Sequence, residues 1–425
     1  MTENPEIYAI DFGTSNSLLA AAHHKGIVTS VPMDEAGNKI LKSILYAADA
    51  NSWVFGDEAI NQYIQDPSHG RVFKSMKRFL PDPSFTRTRV FQDSLTLPDL
   101  LAKFIKAMRQ RANTYFDKDI TQVVMGCPAR FSGNQEEHDL ALARLEAATK
   151  LAGFKTIHFL PEPIAAAYRF QPTLTSEKLV LIADFGGGTS DFTVQKMSQK
   201  PFKPEDVLAI HGVSTAGDKY DGVLMEHSIS PHFGSKVRYQ KPTATRESTF
   251  PKSFVRKLSS PADLVLMSKR TAVEDLREVQ RWVVDEEDKE KLENLLLLIE
   301  DRMAYSLFRE IESTKVALSD EDRVPFEWQY VDIEVRESIK RQQFEEHSQA
   351  ITAEIMKSLD MCLEKAQISA SQIDIVCITG GTSKIPAIHQ QLTARFGDRL
   401  ATTSRFDSVV HGLAARAQQL LSRIV

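Results

Sequence analysis

Two short segments place an aspartate, glycines and hydroxyl side chains directly after an apolar run. The first covers Asp11 to Ser15, and the second covers Asp184 to Asp191 and contains three consecutive glycines. Glycine lets backbone N–H groups converge on an anion, and Thr and Ser add hydroxyl donors. An Asp beside such donors can hold a hydrated Mg²⁺, because Mg²⁺ keeps several waters and takes few direct carboxylates. Two such turns facing each other would clamp a phosphate chain and its metal.

Each turn taken alone also fits an ordinary hairpin, in which Gly forms the turn and Asp caps it. The Gly186-Gly187-Gly188 run favours anion binding more strongly, since three glycines at a strand end cost conformational entropy that a plain hairpin need not bear. The same pattern recurs in both halves of the chain. This recurrence favours a phosphate site between matching halves.

The elements that must position these turns alternate between strands and helices, which predicts a mixed sheet flanked by helices. The patterns predict strands within residues 7 to 55, at Val123 to Gly126, at Ile157 to Leu160 and at Ile373 to Thr379. Helical spacing predicts helices at Leu97 to about Tyr115, Asp139 to Ala152, Ile164 to Tyr168, Ile385 to Phe396 and Ser408 to Ile424. Between about 262 and 318, apolar residues from Leu292 to Leu307 predict one face of a long helix.

Composition bounds the class of protein. A chain of 425 residues with 42% hydrophobic and 26% charged residues predicts two sizeable globular lobes. The net charge of −5 gives no general attraction to nucleic acid or to acidic membranes, so the basic segment 228–258 is interpreted as a surface loop. The three cysteines lie in apolar stretches without metal-ligand spacing, which indicates buried thiols in a reducing compartment. No apolar segment approaches membrane length, and we expect a cytoplasmic protein.

Four motifs in order carry a family resemblance: Asp11 to Ser17, Pro161 to Ala167, Asp184 to Asp191 and Thr379 to Pro386. With them the chain resembles, over nearly its whole length, the actin-like ATPase domain of DnaK-type heat-shock chaperones. The resemblance implies an α/β actin-like (ribonuclease H-like) ATPase fold, with two duplicated lobes around a central nucleotide cleft. Lobe I would comprise 1–180 and the returning helix 404–425. Lobe II would comprise 181–403, with a mainly helical insertion at about 225–320.

The resemblance also implies ATP or ADP with Mg²⁺ as ligands, and K⁺ as a further candidate cation. It assigns the phosphate turns to Gly13, Thr14, Ser15 and Asn16 and to Gly186, Gly187, Gly188 and Thr189. Asp11 and Asp184 would hold Mg²⁺ through water. Lys77 would reach the γ-phosphate and orient the attacking water, and Glu162, Asp191 and Thr189 would complete the catalytic group. Taken alone, Lys77 also fits a solvated basic cluster with Lys74 and Arg78, and Glu162 fits a turn acid.

For the nucleoside, the resemblance assigns Glu312, Lys315, Val316 and Ser319, whose spacing predicts one helical face for the three polar residues. Gly380, Gly381, Thr382 and Lys384 would form the opposite wall, with Asp407 as a further acid near it. Some relatives carry an arginine at the Val316 position that stacks on adenine. Valine offers only apolar contact, so we expect weaker affinity for the base.

Two features separate the chain from full-length members of the family. Pro128 is present after its strand, but Leu142 occupies the position of the family arginine that relays the nucleotide state. We also expect no linker or further domain after the final helix, as in the shortened YegD-like members. We therefore do not extend peptide binding to this chain.

The sequence supports a first hypothesis and leaves alternatives open. The first is a Mg²⁺-dependent ATPase of slow turnover, whose lobes close on ATP as a chaperone-like switch. The second is a non-hydrolysing nucleotide sensor that binds a protein partner or co-chaperone. An actin-like filament protein is less favoured, because the insertion and the basic segment would crowd the lengthwise contact. A sugar or acetate kinase of the same superfold is also possible, but no acceptor-site acid is identifiable in this chain beyond those already assigned. Neither nucleic acid nor a membrane is expected as a partner.

Overall fold

The fold is seen in a computed structural model that describes residues 6–23, 26–65, 70–128, 130–132, 134–168, 174–200, 203–268, 270–402 and 408–421. In the first half the strands are β1 (Ile7–Phe12), β2 (Asn16–Ala22), β3 (Val28–Ser30), β4 (Ile40–Lys42), β5 (Ile44–Ala47), β6 (Trp53–Phe55), β7 (Arg71–Lys74), β8 (Thr88–Val90), β9 (Asp93–Leu95), β10 (Gln122–Cys127) and β11 (Thr156–Pro161). The helices there are α1 (Asp57–Gln65), α2 (Leu97–Phe116), α3 (Gln135–Leu151) and α4 (Glu162–Tyr168).

The second half repeats the alternation with more helices. Its strands are β12 (Lys178–Phe185), β13 (Ser190–Met197), β14 (Val207–Val213), β15 (Arg238–Tyr239), β16 (Ser248–Thr249), β17 (Arg323–Tyr330), β18 (Ile333–Lys340), β19 (Ile375–Thr379) and β20 (Leu400–Thr402). Its helices are α5 (Gly217–Leu224), α6 (Lys252–Leu258), α7 (Pro261–Leu266), α8 (Arg270–Arg281), α9 (Glu286–Glu300), α10 (Ala304–Ala317), α11 (Arg341–Ala366), α12 (Pro386–Phe396) and α13 (Ser408–Leu421).

The two main sheets have the same construction. The first has the order β3-β2-β1-β10-β11 with β4 also beside β2, and the second has the order β14-β13-β12-β19-β20. In each sheet the central strand is antiparallel to the next strand in the chain and parallel to a later one, as β1 is to β2 and β10 and β12 is to β13 and β19. The predicted mixed α/β architecture is confirmed. The two aspartate-glycine turns therefore occupy equivalent hairpins.

An apolar layer joins the two sheets. It combines β1 and β10 residues such as Ala9 and Val124 with β12 and β19 residues such as Ile182 and Cys377. The helices α4 and α13 belong to the same layer, and α13 packs on β1, β2 and β10. A methyl group added to Gly412 would lie 1.7 Å from the Ala165 carbonyl oxygen, so only glycine permits this approach of α13 to α4. Asp407 lies outside the described residues.

Three details of the predicted elements are wrong. The long helix is interrupted between α9 and α10, where Arg302 has φ 55°, so Met303 and Leu307 do not continue the α9 face. Helix α3 begins four residues before Asp139, because Asn134 caps the Glu136 N–H. The basic segment is not only a loop.

The basic segment 228–258 contains β15, β16 and α6. Phe250 and Phe254 are buried in the core of the second half, which fixes the segment against the molecule. Its charges are also partly paired, since Arg238 lies 3.3 Å from Glu247 and Lys241 lies 2.6 Å from Glu278. Burial of two aromatic residues thus explains why the segment is ordered.

Candidate nucleotide site

The two aspartates occupy equivalent positions in the two sheets. Asp11 is the penultimate residue of β1 and Asp184 is the penultimate residue of β12. The hairpin turn follows each of them, so the acid and the turn N–H groups are held by the central strand of a sheet. Thr379 at the end of β19 pairs with Asp184, and its hydroxyl donates to the Asp184 carboxylate at 2.7 Å.

The two turns contact each other. A methyl group added to Gly187 would lie 2.2 Å from the Ser15 hydroxyl oxygen, and one on Gly188 would lie 3.6 Å from the Thr14 methyl carbon. The Ser15 hydroxyl is buried and has no hydrogen-bond partner in the described structure. Ser43 supports the first turn by donating its hydroxyl to the Gly13 carbonyl at 2.8 Å. The structure therefore brings the two predicted phosphate turns face to face.

Beside the turns is a group that we call the acidic cluster, consisting of Asp11, Lys77, Glu162, Asp184 and Asp191. The Lys77 ammonium lies 2.6 Å from Glu162 Oε1, and the two side chains are 8% and 14% exposed. Lys77 is in a 3-10 turn, Met76–Phe79, while Glu162 begins α4 after β11. Thr189 donates its hydroxyl to Asp191 at 2.8 Å. The structure thus brings Lys77, Glu162, Asp191 and Thr189 together beside the turns.

Burial raises the pKa of three carboxyl groups in the acidic cluster, those of Asp11, Glu162 and Asp191. Burial raises the pKa of Asp11 to about 8, with repulsion from Glu162 adding to it and Lys77 opposing it. Burial also raises the pKa of Asp191 to about 7, against the Thr189 hydrogen bond. The pKa of Glu162 is raised by burial despite Lys77. Burial alone would lower the pKa of Lys77, but attraction by Glu162 and Asp11 outweighs it and raises that pKa.

This charge distribution fits a hydrated divalent cation. Carboxyl groups whose pKa is raised by burial and mutual repulsion gain most when a cation binds, and hard oxygen donors suit Mg²⁺. Within the acidic cluster, Asp11 and Asp184 are the two acids that lie next to the ends of central strands, beside the turns. Among the described residues, no group of three or more His, Cys, Asp or Glu side chains is arranged to hold a metal directly.

A second buried ion pair lies beside the second turn. Lys315 of α10 is 2.7 Å from Asp221 of α5 and donates to the Gly217 carbonyl at 3.3 Å. Burial raises the pKa of Asp221 to about 6, against Lys315. Thr382 closes this wall, because its hydroxyl donates to the Gly186 carbonyl at 2.8 Å. A methyl group on Gly217 would lie 2.8 Å from that hydroxyl and 3.4 Å from the Lys315 nitrogen.

A third contact joins the two halves at the rim of the site. Lys42 of β4 lies 3.3 Å from Glu312 of α10, and the Arg309 guanidinium donates to Asn61 of α1 at 3.2 Å. The pKa of Glu312 is lowered: burial alone would raise it, but Lys42 and Lys315 outweigh burial. Tyr63 and Tyr305 add an edge-to-face contact with ring centroids 5.5 Å apart. These contacts therefore join the two halves at the rim.

Comparison with known proteins decides the family. Residues 82–247 and 277–423 match the family model described as Hsp70 protein. The chain belongs to the Hsp70 family. Its paired sheets with matching strand orders are accordingly the actin-like ATPase fold. The predicted resemblance to the heat-shock chaperones is confirmed.

Individual relatives of this Hsp70-family chain are chaperones named HscA. It is 26% identical to the HscA homolog of Bordetella pertussis and 25% identical to that of Verminephrobacter eiseniae, over 97% of this chain and 58% of each relative. It is 24% identical to HscA of Buchnera aphidicola, of which it covers 70%. The chain thus spans less than two thirds of the length of the first two relatives.

The nucleoside residues are only partly assembled. Glu312 and Lys315 lie on one side of α10, but Ser319 lies beyond the end of that helix at Ala317, so the single helical face is wrong there. Val316 is 57% exposed. Gly380 has φ 84°, and the exposed Lys384 ends a turn that begins at Gly381 and contains the buried Thr382.

Sequence reasoning missed three charged residues at the site: Lys42, Asp218 and Asp221. The Asp218 N–H donates to the Gly187 carbonyl at 2.7 Å, which brings this acid beside the second turn. A signal was available for the two acids, because Gly217, Asp218 and Asp221 begin a helix just after a strand. Lys42 carries no local signal, since its partner Glu312 is 270 positions away.

Proposed function

We propose that this chain is a Mg²⁺-dependent ATPase of slow turnover that works as a nucleotide-driven chaperone switch. The proposed moving bodies are lobe I, 1–180 with 404–425, and lobe II, 181–403. The observation that carries the proposal is the acidic cluster at the junction of the two contacting turns. A triphosphate held between turns of different lobes would draw the lobes together, so that ATP binding would close them.

Hydrolysis of a γ-phosphoryl group needs charge neutralisation and a positioned water more than a strong base. In the proposed site, Asp11 and Asp184 would hold Mg²⁺ through water, and the ion would supply positive charge to neutralise the phosphates. Lys77 exchanges its bond with Glu162 for contact with the terminal phosphate. Glu162 and Asp191, as carboxylates, would accept hydrogen bonds from the attacking water. Thr189 holds Asp191 in place, as its 2.8 Å hydrogen bond supports.

The proposed nucleoside wall consists of Glu312, Lys315 and the Gly380 to Thr382 turn. Lys315 is buried and paired, so its ammonium is fixed in direction and suits a ribose hydroxyl. Val316 would contribute apolar contact to the base. Because no arginine stacks there, we propose that phosphate contacts supply most of the affinity.

Phosphate release from wild type and from Lys77→Ala tests the proposal. An ATPase predicts release by wild type in Mg²⁺ and its loss in Lys77→Ala, while both proteins still bind ADP in calorimetry. Lys150→Ala is a matched control, since Lys150 pairs with Glu146 at 2.6 Å on the exposed surface of α3. Release by Lys77→Ala at the wild-type rate would contradict the assignment.

A non-hydrolysing sensor is the second candidate. It is favoured by one observation, the short bond that engages the Lys77 ammonium with Glu162. If that bond persists with ATP bound, the lysine is not available to the γ-phosphate. Nucleotide binding without phosphate release in wild type would support the sensor, and a protein partner or co-chaperone would then read the closed state.

Localisation and peptide binding are separate points. The described residues contain no helix of sufficient length and apolarity to cross a membrane. Cys127, Cys362 and Cys377 are buried free thiols, which supports the proposal of a reducing compartment. Leu142 at the relay position gives no support for coupling to a peptide site.

A further inference from the structure

A single arginine of α3, Arg144, donates hydrogen bonds to several backbone carbonyls of the segment that follows Lys77. Arg144 Nη1 lies 3.1 Å from the Phe79 carbonyl oxygen, 2.9 Å from that of Leu80 and 2.8 Å from that of Asp82. Its Nη2 donates to the Phe85 carbonyl at 2.7 Å. The planar guanidinium presents several N–H donors in a fixed fork, so one side chain can hold several carbonyls.

The held segment is the one that presents Lys77. It starts at Ser75, which has φ 56°, and forms a 3-10 turn at Met76–Phe79. Two further reverse turns follow, in which the Asp82 and Phe85 N–H groups donate to the carbonyls of Phe79 and Asp82. Tight turns of this kind leave carbonyl oxygens without helical or sheet partners, and an unpaired buried carbonyl is costly. Arg144 supplies donors to the carbonyls of Leu80 and Phe85 and adds a second donor to those of Phe79 and Asp82.

Apolar contacts hold the other side of this segment. Met76 and Leu80 flank Lys77 and are 3% and 0% exposed in the core of the first half. Ala141 and Leu145 of α3 belong to the same core. The segment is therefore fixed by apolar side chains on one side and by Arg144 on its carbonyl side, and Lys77 projects from it to Glu162.

We propose that Arg144 is a positioning residue that fixes the reach of Lys77 into the nucleotide site. This inference rests on the proposed function, because the consequence for catalysis requires that Lys77 act there. In the described part of the chain, the hydrogen bonds of Arg144 are to backbone carbonyls, so it would act by holding the chain and not by touching the reacting atoms. Loss of the fork would loosen residues 79–85 and let the Lys77 ammonium sample positions outside its bond to Glu162. A displacement of about 1 Å in a catalytic group can cost up to roughly 100-fold in rate.

The test compares Arg144→Lys and Arg144→Gln with Arg399→Lys. Arg399 is a matched control, because it also donates to four carbonyls, those of Phe396, Ala370, Ile373 and Arg395, at 2.6 to 3.2 Å. It lies in the turn before β20, in the other half of the molecule. Thermal unfolding of each variant first establishes that it folds and how much stability it loses.

Two readouts are then measured. The first is the split of steady-state ATP hydrolysis into kcat and KM. The second is the rate at which an acetylating N-hydroxysuccinimide ester modifies Lys77 without nucleotide, measured by mass spectrometry relative to the exposed Lys150. The second readout does not depend on turnover, so it judges the positioning role even if wild type hydrolyses no ATP.

For both Arg144 variants we expect kcat to fall by about tenfold or more with KM changed less than about threefold. We expect acetylation of Lys77 to accelerate several-fold in both variants. The acceleration should be larger in Arg144→Gln, because Arg144→Lys keeps a positive charge near the carbonyls. Arg399→Lys should change neither quantity at a comparable loss of stability. Wild-type protection of Lys77 in both folded Arg144 variants would overturn the inference.

Discussion

Two buried lysine-carboxylate pairs serve the proposed site, and their surroundings differ. Lys77 and Glu162 are 2.6 Å apart, and Lys315 and Asp221 are 2.7 Å apart. Around the first pair, burial together with the neighbouring acids raises the pKa of Asp11 to about 8, and burial raises the pKa of Asp191 to about 7. Around the second, Lys42 balances Glu312. The first region therefore favours binding of a cation and a phosphate. The second region could bind an uncharged sugar with little change in the ionisation of its side chains.

The largest expected effect separates the two lysines by kinetics. Lys77→Ala should lower kcat by at least about 100-fold, the typical effect of removing one donor to developing charge. ADP affinity should stay within a few-fold of wild type, because the phosphate turns remain. Steady-state kinetics with calorimetry of ADP measures both quantities. A Lys77→Ala variant with unchanged kcat but lost ADP binding would reverse the roles assigned to the two pairs.

Removal of the second lysine should act on binding and stability instead. Lys315→Met should weaken ADP by about tenfold or more, as expected for one lost charge-assisted hydrogen bond. It also leaves Asp221 buried without its partner, which typically costs about 3–5 kcal/mol of unfolding free energy. Asp221→Asn in the same background should recover part of the stability without restoring affinity. Chemical denaturation measures the unfolding free energy, and titration calorimetry measures the affinity for ADP.

The acidic cluster should make Mg²⁺ binding depend on pH. Asp11 has a folded pKa of about 8 against an ordinary value of 3.8, so the folded protein holds an extra proton between these values. Stability without ligand therefore falls as pH rises through this window. Mg²⁺ requires the carboxylate, so its apparent affinity in the presence of ADP should rise by roughly tenfold from pH 7 to 8.5.

Calorimetry in buffers of different ionisation enthalpy measures the protons released on Mg²⁺ binding. Asp11→Asn should lower this number and flatten the pH dependence. The same variant should be more stable than wild type at pH 8.5 and closer to it at pH 5, because it removes the buried charge. Proton release equal to wild type in Asp11→Asn would show that another group carries the titration.

The smallest effect is expected at the rim. Lys42→Ala removes the 3.3 Å contact with Glu312 across the two halves. Because exposed ion pairs contribute little, release of a fluorescent ADP analogue should accelerate by only about two- to fivefold. Stopped-flow displacement measures the rate, with Lys150→Ala as a surface control. Unchanged release would mean that the Arg309–Asn61 and Tyr63–Tyr305 contacts hold the two halves together at the rim without Lys42.

The sequence predicts those parts of the site that are local in the chain. Asp11, Asp184 and the glycine turns follow their strands directly, so strand and turn patterns are sufficient to find them. Lys77 and Glu162 are 85 positions apart, and they could be paired only through the family resemblance. Asp221 lies in the first turns of a helix that follows a strand, but its pairing with Lys315, like that of Lys42 with Glu312, is a tertiary contact with α10, which no spacing rule describes.

The errors in the fold have a similar origin. Helices α9 and α10 bury apolar residues in the same core, so one periodic pattern continues across the break at Arg302. Ser319 keeps the helical spacing of Glu312 and Lys315, yet α10 ends at Ala317. In both cases a left-handed residue or a helix end, which spacing alone does not reveal, changes the direction of the chain.

Titration calorimetry of ADP with and without Mg²⁺ tests the central claim most directly, that two contacting turns and the acidic cluster bind a metal-nucleotide complex. We expect one ADP bound per chain in Mg²⁺, much weaker binding in EDTA, and loss of binding in Gly187→Ala, whose methyl group would meet Ser15. No heat with ADP and Mg²⁺ in folded wild type, or equal affinity in EDTA, would contradict the account.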